Sequence, residues 1–245
     1  HWFWDTGNGD IGNQGVHQMD IARWMIPGAT LPKTVMSLGG RFGYKDQGET
    51  PNTQIAVMDF DGPLLLFEVR GLKTDDYLKT KIGNIVHFEE GTVTNGRFYP
   101  KGKETGDGQP LPKVEASRGP GRDHFSNFIA AVRSRKTSDL NAPISEGHPS
   151  AALCHLANIS YRLGEIVPFD SKAKAVGDNK AVAETFERME DHLRSNDVKL
   201  TGLDYRLGRT LTVDAKAEKF VNDAEANRLL TRNYRKPFVV PEHLG

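Results

Sequence analysis

The chain has 245 residues, 37% hydrophobic and 26% charged, with 25 glycines, which bounds it to one large globular domain or one domain with a long extension. Lysine plus arginine and aspartate plus glutamate both number 32, so the formal net charge is zero and the basic excess of a nucleic-acid binder is excluded. No apolar run reaches the roughly 20 residues that span a bilayer, and the single cysteine, Cys154, excludes an internal disulfide and a cysteine-based zinc site.

The chain opens on His1 rather than methionine and is expected to be processed, tagged or a fragment; its compartment, cytoplasmic or exported, stays open. Residues 13–26 read as a helix, because Val16, Met19, Ala22 and Ile26 fall on one face and Pro27-Gly28 stops it. Residues 33–38 read as a strand, followed by Gly39-Gly40. After a polar loop from Tyr44 to Asn52, two apolar runs at 54–60 and 64–70 flank Asp61-Gly62, the signature of a hairpin. Two further strands are expected at 82–89 and 92–99, joined across Glu90-Gly91. A surface loop rich in Lys, Gly and Pro follows over 101–120. From 122 the period changes, and Phe125, Phe128, Ile129 and Val132 make one helical face. Residues 145–163 form another helix, with Ser145 as N-cap, Gly164 just past the end and Cys154 in its packed pattern. A third helix is expected at 178–194, opening at Asp178. A short strand near 209–213 and a short helix at 223–231, starting at Asp223, complete the tail. This order argues for an α+β fold, an open mixed and largely antiparallel sheet with helices packed on one face, and against a doubly wound parallel sheet.

The functional signal is concentrated in the first 26 residues, where two readings compete. Gly7-Asn8-Gly9-Asp10-Ile11-Gly12 matches the G-x-G-x-x-G dinucleotide fingerprint. That motif works when a buried strand delivers the backbone to a tight turn and a helix N-terminus. Here HWFWDT is short and polar-ended, and Leu38-Gly39-Gly40-Arg41 stands where an acidic residue is expected; a role for Arg41 as a 2′-phosphate ligand is the variant of this reading. The second reading makes His17 the functional residue. On a helix, Asn13 at i−4 and Asp20 at i+3 lie near its imidazole, a group suited to proton exchange with a hydroxyl. The plainer alternative is a histidine that caps or packs the first turn.

GNGDIGNQGVHQMDIARW resembles the helix that follows the nucleotide-binding domain in the Gfo/Idh/MocA oxidoreductases. The family pattern Asp-x-Gly-x-His, with an Asp three residues on, is matched at His17 and Asp20. Asn13 stands where the first Asp is expected; an amide positions a hydroxyl without sharing a proton, and Asp10, one loop away, is the substitute. The strands around GGRFGYKDQGETPNTQ resemble the open sheet of the family's second domain, and HFSNFIAAVRSRK and SEGHPSAALCHLANISYRLGE its closing helices. Residues 1–169 are then one α+β domain and 170–245 a C-terminal extension packed on it.

The resemblance implies the substrate-binding and oligomerisation part of an NAD(P)-dependent oxidoreductase. Such an enzyme moves hydride between a sugar or polyol carbon and NAD or NADP, and the nucleotide is held mainly by a domain absent from these residues. His17 is then the general acid/base with Asn13 beside it. Asp10, Asp20, Tyr44, Lys45, Asp46 and Gln47 bind substrate, Trp2 and Trp4 stack on a sugar face, and no metal is involved. The implied partners are a carbohydrate substrate and a second copy of the chain, met through the open sheet face at positions such as Leu64 and Leu66; neither nucleic acid nor membrane is implied. The alternatives are a redox-assisted glycosidase or lyase that retains NAD, a non-catalytic oligomerisation domain, and a stand-alone carbohydrate-binding module.

Overall fold

Residues 34–70 fold as the antiparallel meander that their patterning predicts. β1 (Thr34–Gly40), β2 (Thr53–Asp59) and β3 (Leu64–Arg70) run side by side, with Val35 opposite Met58 and Ala56 opposite Phe67. Asp61 and Gly62 turn the hairpin with φ of 61° and 143°, a backbone that suits a short polar residue followed by glycine. The computed structural model describes residues 2–103, 106–113, 118–169 and 177–241.

Distant segments complete this sheet. β9 (Asp204–Leu207) and β10 (Leu211–Asp214) both pair with β1, β8 (Glu165–Pro168) pairs with β9, and β11 (Lys219–Phe220) pairs with β10. The result is a seven-stranded sheet with β1 at its centre and buried on both faces. A separate four-stranded sheet holds β4 (Ile85–His87), β5 (Gly91–Thr94), β6 (Arg97–Pro100) and β7 (Gln109–Pro110). Every strand pair among the described residues is antiparallel and neither sheet closes. The fold is therefore α+β, with open antiparallel sheets.

The six helices among the described residues are α1 (Gly9–Asn13), α2 (Gly15–Trp24), α3 (His124–Ser134), α4 (Ile144–Arg162), α5 (Lys180–Arg194) and α6 (Ala224–Arg228). The alternation of side chains along the strands splits the core in two. On one face Val35, Ala56, Met58, Leu65 and Val69 pack against Ile11, Met19 and the α4 residues Leu153, Leu156 and Ala157. On the other face Leu38 and Ile55 meet Phe186, Met189 and Leu193 of α5. α1, α2 and α4 thus share one face as expected, and α5 adds cover on the opposite one. The Leu66–Glu68 end of that second face is partly screened from an external partner, since Glu68 pairs with Arg188 of α5 at 2.6 Å.

Several boundaries differ from the sequence expectation. The helix over 13–26 is two helices, starting earlier at Gly9 and meeting at Gln14, which caps both. A side chain at Gly15 would run into Phe67 at 2.9 Å, so glycine lets the start of α2 approach β3. The single strand expected over 92–99 is β5 and β6, folded back at Asn95-Gly96 with φ of 50° and 70°, the Asn-Gly signal of a tight hairpin. β7 occupies two residues of the expected loop. Pro143 rather than Ser145 precedes α4, and Asn179 rather than Asp178 caps α5 by accepting bonds from Ala181 N and Val182 N. Asp223 caps α6 as expected.

Candidate functional site

The glycine loop is held from below by a buried polar chain. Asn158 of α4 donates through Nδ2 to the Asn8 carbonyl at 2.8 Å. Its Oδ1 accepts from Gln54 Nε2 at 3.2 Å, and the same Nε2 donates to Ser37 Oγ at 3.0 Å. Ser37 Oγ in turn donates to the Ile55 carbonyl, while Ser37 N donates to Ser160 Oγ. Gln54, Asn158, Ser37 and Ser160 are all buried. Polar groups survive in a core only when they are hydrogen-bonded, and here the bonded series ends at the carbonyl that opens α1.

Asp10 lies in the first turn of α1, partly buried. Burial pushes its carboxyl above the usual range, and the Arg41 guanidinium draws it partly back. Arg41 is the organiser of the neighbouring loop. Its Nε donates to Asp46 Oδ1 at 2.6 Å, its Nη2 meets Asp46 Oδ2, and its Nη1 donates to the Thr50 carbonyl at 3.1 Å. The guanidinium lies 5.5 Å from the Trp2 ring centroid and 5.3 Å from that of Tyr44, within cation–π range of both. Glu49 N and Thr50 N donate to the Trp2 carbonyl, and Trp4 N donates to Glu49 Oε2 at 2.8 Å. Asn52 closes the loop by pairing with both backbone groups of Phe42. Arg41 thereby joins the N-terminal turn, Asp10 and the 44–50 loop into one shelf.

The residues singled out from the sequence fall into three groups. Tyr44 and Asp46 contact Arg41, and Asp10 lies within its electrostatic reach; Tyr44, Lys45, Asp46 and Gln47 are all exposed. The Asp46 carboxylate is already bonded to Arg41 and Gly48 N, and those bonds hold its pKa below the usual range. His17 and Asn13 stand exposed on α2 and at the end of α1, and among the described residues no side chain hydrogen-bonds to the imidazole. Asp20 is turned to α4: its Oδ1 accepts from Ser150 Oγ at 2.5 Å and lies 3.9 Å from Arg23, which also binds Glu146 at 2.6 Å. That cluster anchors α2 on α4 and engages Asp20 away from His17.

Gln54 and Asn158 are the members of this region that sequence reasoning did not place in it. Gln54 and Asn158 are polar residues inside apolar stretches, a pattern that marks either a buried bond or a site.

The Gly7–Gly12 loop does not fit a dinucleotide. A turn over residues 3–6, not a strand, leads into it. The Asn8 side chain fills the space beside Gly12, where a Cβ would lie 2.1 Å from Asn8 Nδ2, and Gly9 abuts Thr50. Its helix has five residues. Among the described residues no three or more His, Cys, Asp or Glu side chains are grouped to hold a metal. Burial pushes the Cys154 thiol up to about 12, so it stays protonated and lacks the thiolate a nucleophile needs. Two shallow hollows, of ≈ 300 Å3 beside Gly164 and Arg209 and ≈ 350 Å3 beside Arg23 and Trp24, lie away from the His17 turn. No helix of the described chain is long and apolar enough to cross a membrane. Compared with known proteins, the chain matches no protein-family model and no curated protein.

Proposed function

We propose that this chain is the substrate-binding part of an NAD(P)-dependent oxidoreductase acting on a sugar or polyol hydroxyl, with His17 as general acid/base. The observation that carries the reading is the imidazole itself. It is exposed and free of side-chain partners among the described residues, on α2, and the loop that opens the preceding helix α1 is pinned by the Gln54–Asn158–Asn8 chain. A fixed frame with one uncommitted proton carrier is what general-base work at a hydroxyl requires. The chain's residues would take the hydroxyl proton at His17 and orient the hydroxyls with Asn13 and Asp10. Tyr44 and Trp2 would flank an apolar sugar face. On this reading the Gly7–Gly12 loop is not the seat of NAD or NADP, since the Asn8 side chain fills the space beside Gly12 and the helix that follows has five residues.

The test is the oxidation of a panel of sugars and polyols by the intact gene product and its His17→Asn variant. The expected result is a loss in kcat of about 10²- to 10⁴-fold with a smaller change in KM. Full activity of the variant would sink the assignment. A second reading, a carbohydrate-binding or oligomerisation domain without chemistry, is favoured by Asp20, which binds Ser150 Oγ rather than orienting His17. It predicts sugar binding that is unchanged in His17→Asn and independent of nucleotide.

A further inference from the structure

The hollow of ≈ 350 Å3 lies between the end of α2 and the first turn of α4. It opens because α2 stops at Trp24 and Gly28, at φ 71°, then turns the chain. Its floor is fixed. Arg23 and Pro149 are buried there. Arg23 donates through Nε to Ser150 Oγ at 2.9 Å, through Nη1 to the Ala29 carbonyl at 3.1 Å and through Nη2 to Glu146 Oε2 at 2.6 Å. Those bonds, from a guanidinium 7% exposed, tie α2, the turn and α4 into one frame. Its rim is uncommitted. Trp24 stands there 63% exposed. Thr30 and Ser145 also line the hollow, and their exposed hydroxyls have no partner among the described residues. Glu146 Oε1 is open as well, since Arg23 takes Oε2.

We infer that this hollow is a carbohydrate-binding subsite that holds one uncharged pyranose ring flat on Trp24. Each part of such a ring meets its complement. The C–H face is flat and apolar, and a rigid indole covers it at small entropic cost. The ring edge carries neighbouring hydroxyls that both donate and accept; Glu146 Oε1 accepts from them, and Thr30 and Ser145 do either. The absence of charge suits a floor where Glu146 lies 2.6 Å and Asp20 3.9 Å from Arg23, which leaves no free cation for an anion. Ligand sites span about 300–1,000 Å3, so ≈ 350 Å3 limits the occupant to a single ring of a glycan. Seven residues of α2 place Trp24 about 10 Å along the axis from His17. Binding at the hollow is therefore separate from the His17 turn and does not depend on the oxidoreductase reading.

Fluorine NMR of the full chain labelled with 5-fluorotryptophan tests this. The chain has 3 tryptophans, and Trp2→Phe, Trp4→Phe and Trp24→Phe assign their resonances. The probes are cellotetraose, xylotetraose, mannotetraose and maltotetraose at millimolar concentration. At least one should move the Trp24 resonance and leave those of Trp2 and Trp4 in place. The double variant Thr30→Ala, Ser145→Ala alters only exposed side chains and should weaken that binding by about tenfold. His17→Asn should leave it unchanged. A Trp24 resonance that none of the four glycans moves overturns the subsite. So do shifts confined to Trp2 and Trp4, which put the sugar on the Arg41 shelf instead. Equal shifts of Trp24 with an oligoproline peptide or inorganic phosphate overturn the carbohydrate assignment, as does full affinity in the double variant.

Discussion

Asn158→Ala cuts the polar chain beneath the glycine loop at its middle link. The substitution deletes two hydrogen bonds, at 2.8 and 3.2 Å. It leaves the Asn8 carbonyl without this donor, while Gln54 Nε2 keeps only its bond to Ser37. Asn158 is 4% exposed and Gln54 1%, so water does not readily replace what is lost. Each bond contributes about 1 kcal/mol net and a stranded buried group costs about 1–3 kcal/mol, which puts the loss at about 2–4 kcal/mol. For a domain of this size that is a fall in Tm of roughly 5–12 °C. Urea unfolding of Asn158→Ala, Gln54→Ala and the double variant measures it. The double variant should lose less than the sum of the singles by about 0.5–3 kcal/mol, because both act on one bond. A single-variant loss below about 0.5 kcal/mol, the size of an ordinary surface substitution, or strict additivity, would refute the claim that the chain is closed and buried.

Phe186→Ala opens the second core half, where the Phe186 ring lies 6.0 Å from that of Phe169 and 5.6 Å from that of Tyr205. A loss of about 3–5 kcal/mol is expected, read from the urea midpoint, with hydrogen exchange rising first in α5. Asn179→Ala removes the α5 cap and should destabilise by about 1 kcal/mol, whereas Asp178→Ala should be nearly silent; equal effects would put the cap at the wrong residue. Arg41→Met tests the shelf through pH. Because the folded pKa of Asp46 is depressed, the pair's stabilisation is present above the unfolded value of about 3.9 and disappears as pH falls through the folded value. The gap in urea midpoint between wild type and Arg41→Met should therefore be full at pH 6 and shrink below about pH 4. A gap independent of pH would show that Arg41 holds the loop by stacking alone.

Much of the fold was legible in local sequence. Asp61-Gly62 marked the hairpin because few residues accept its dihedrals, and the apolar runs on either side pair across it. Asp223 announced α6, since a carboxylate at an N-cap satisfies amides that have no other partner. Long-range pairing was not legible. β8 and β9 are four residues each, too short for a periodic signal; β9 becomes a strand because β1 offers it open backbone groups, and β8 because β9 does. The expected Ser145 cap yielded to Pro143, since a capping residue acts only where the chain already turns into a helix.

The site divides in the same way. The sequence by itself determined the donor types: an imidazole, amides and carboxylates within twenty residues of a glycine loop, and an arginine before a polar loop. Only the tertiary structure decided their commitments, because a carboxylate bonds whichever cation or hydroxyl folding brings nearest. Asp20 went to Ser150, 130 residues away, and Asp46 to Arg41, while His17 kept its imidazole in solvent. The Phe125–Val132 face shows the limit most plainly. Its spacing prescribes an amphipathic helix, but what an apolar face packs against is a property of the surrounding surface, and within this chain that face stays open.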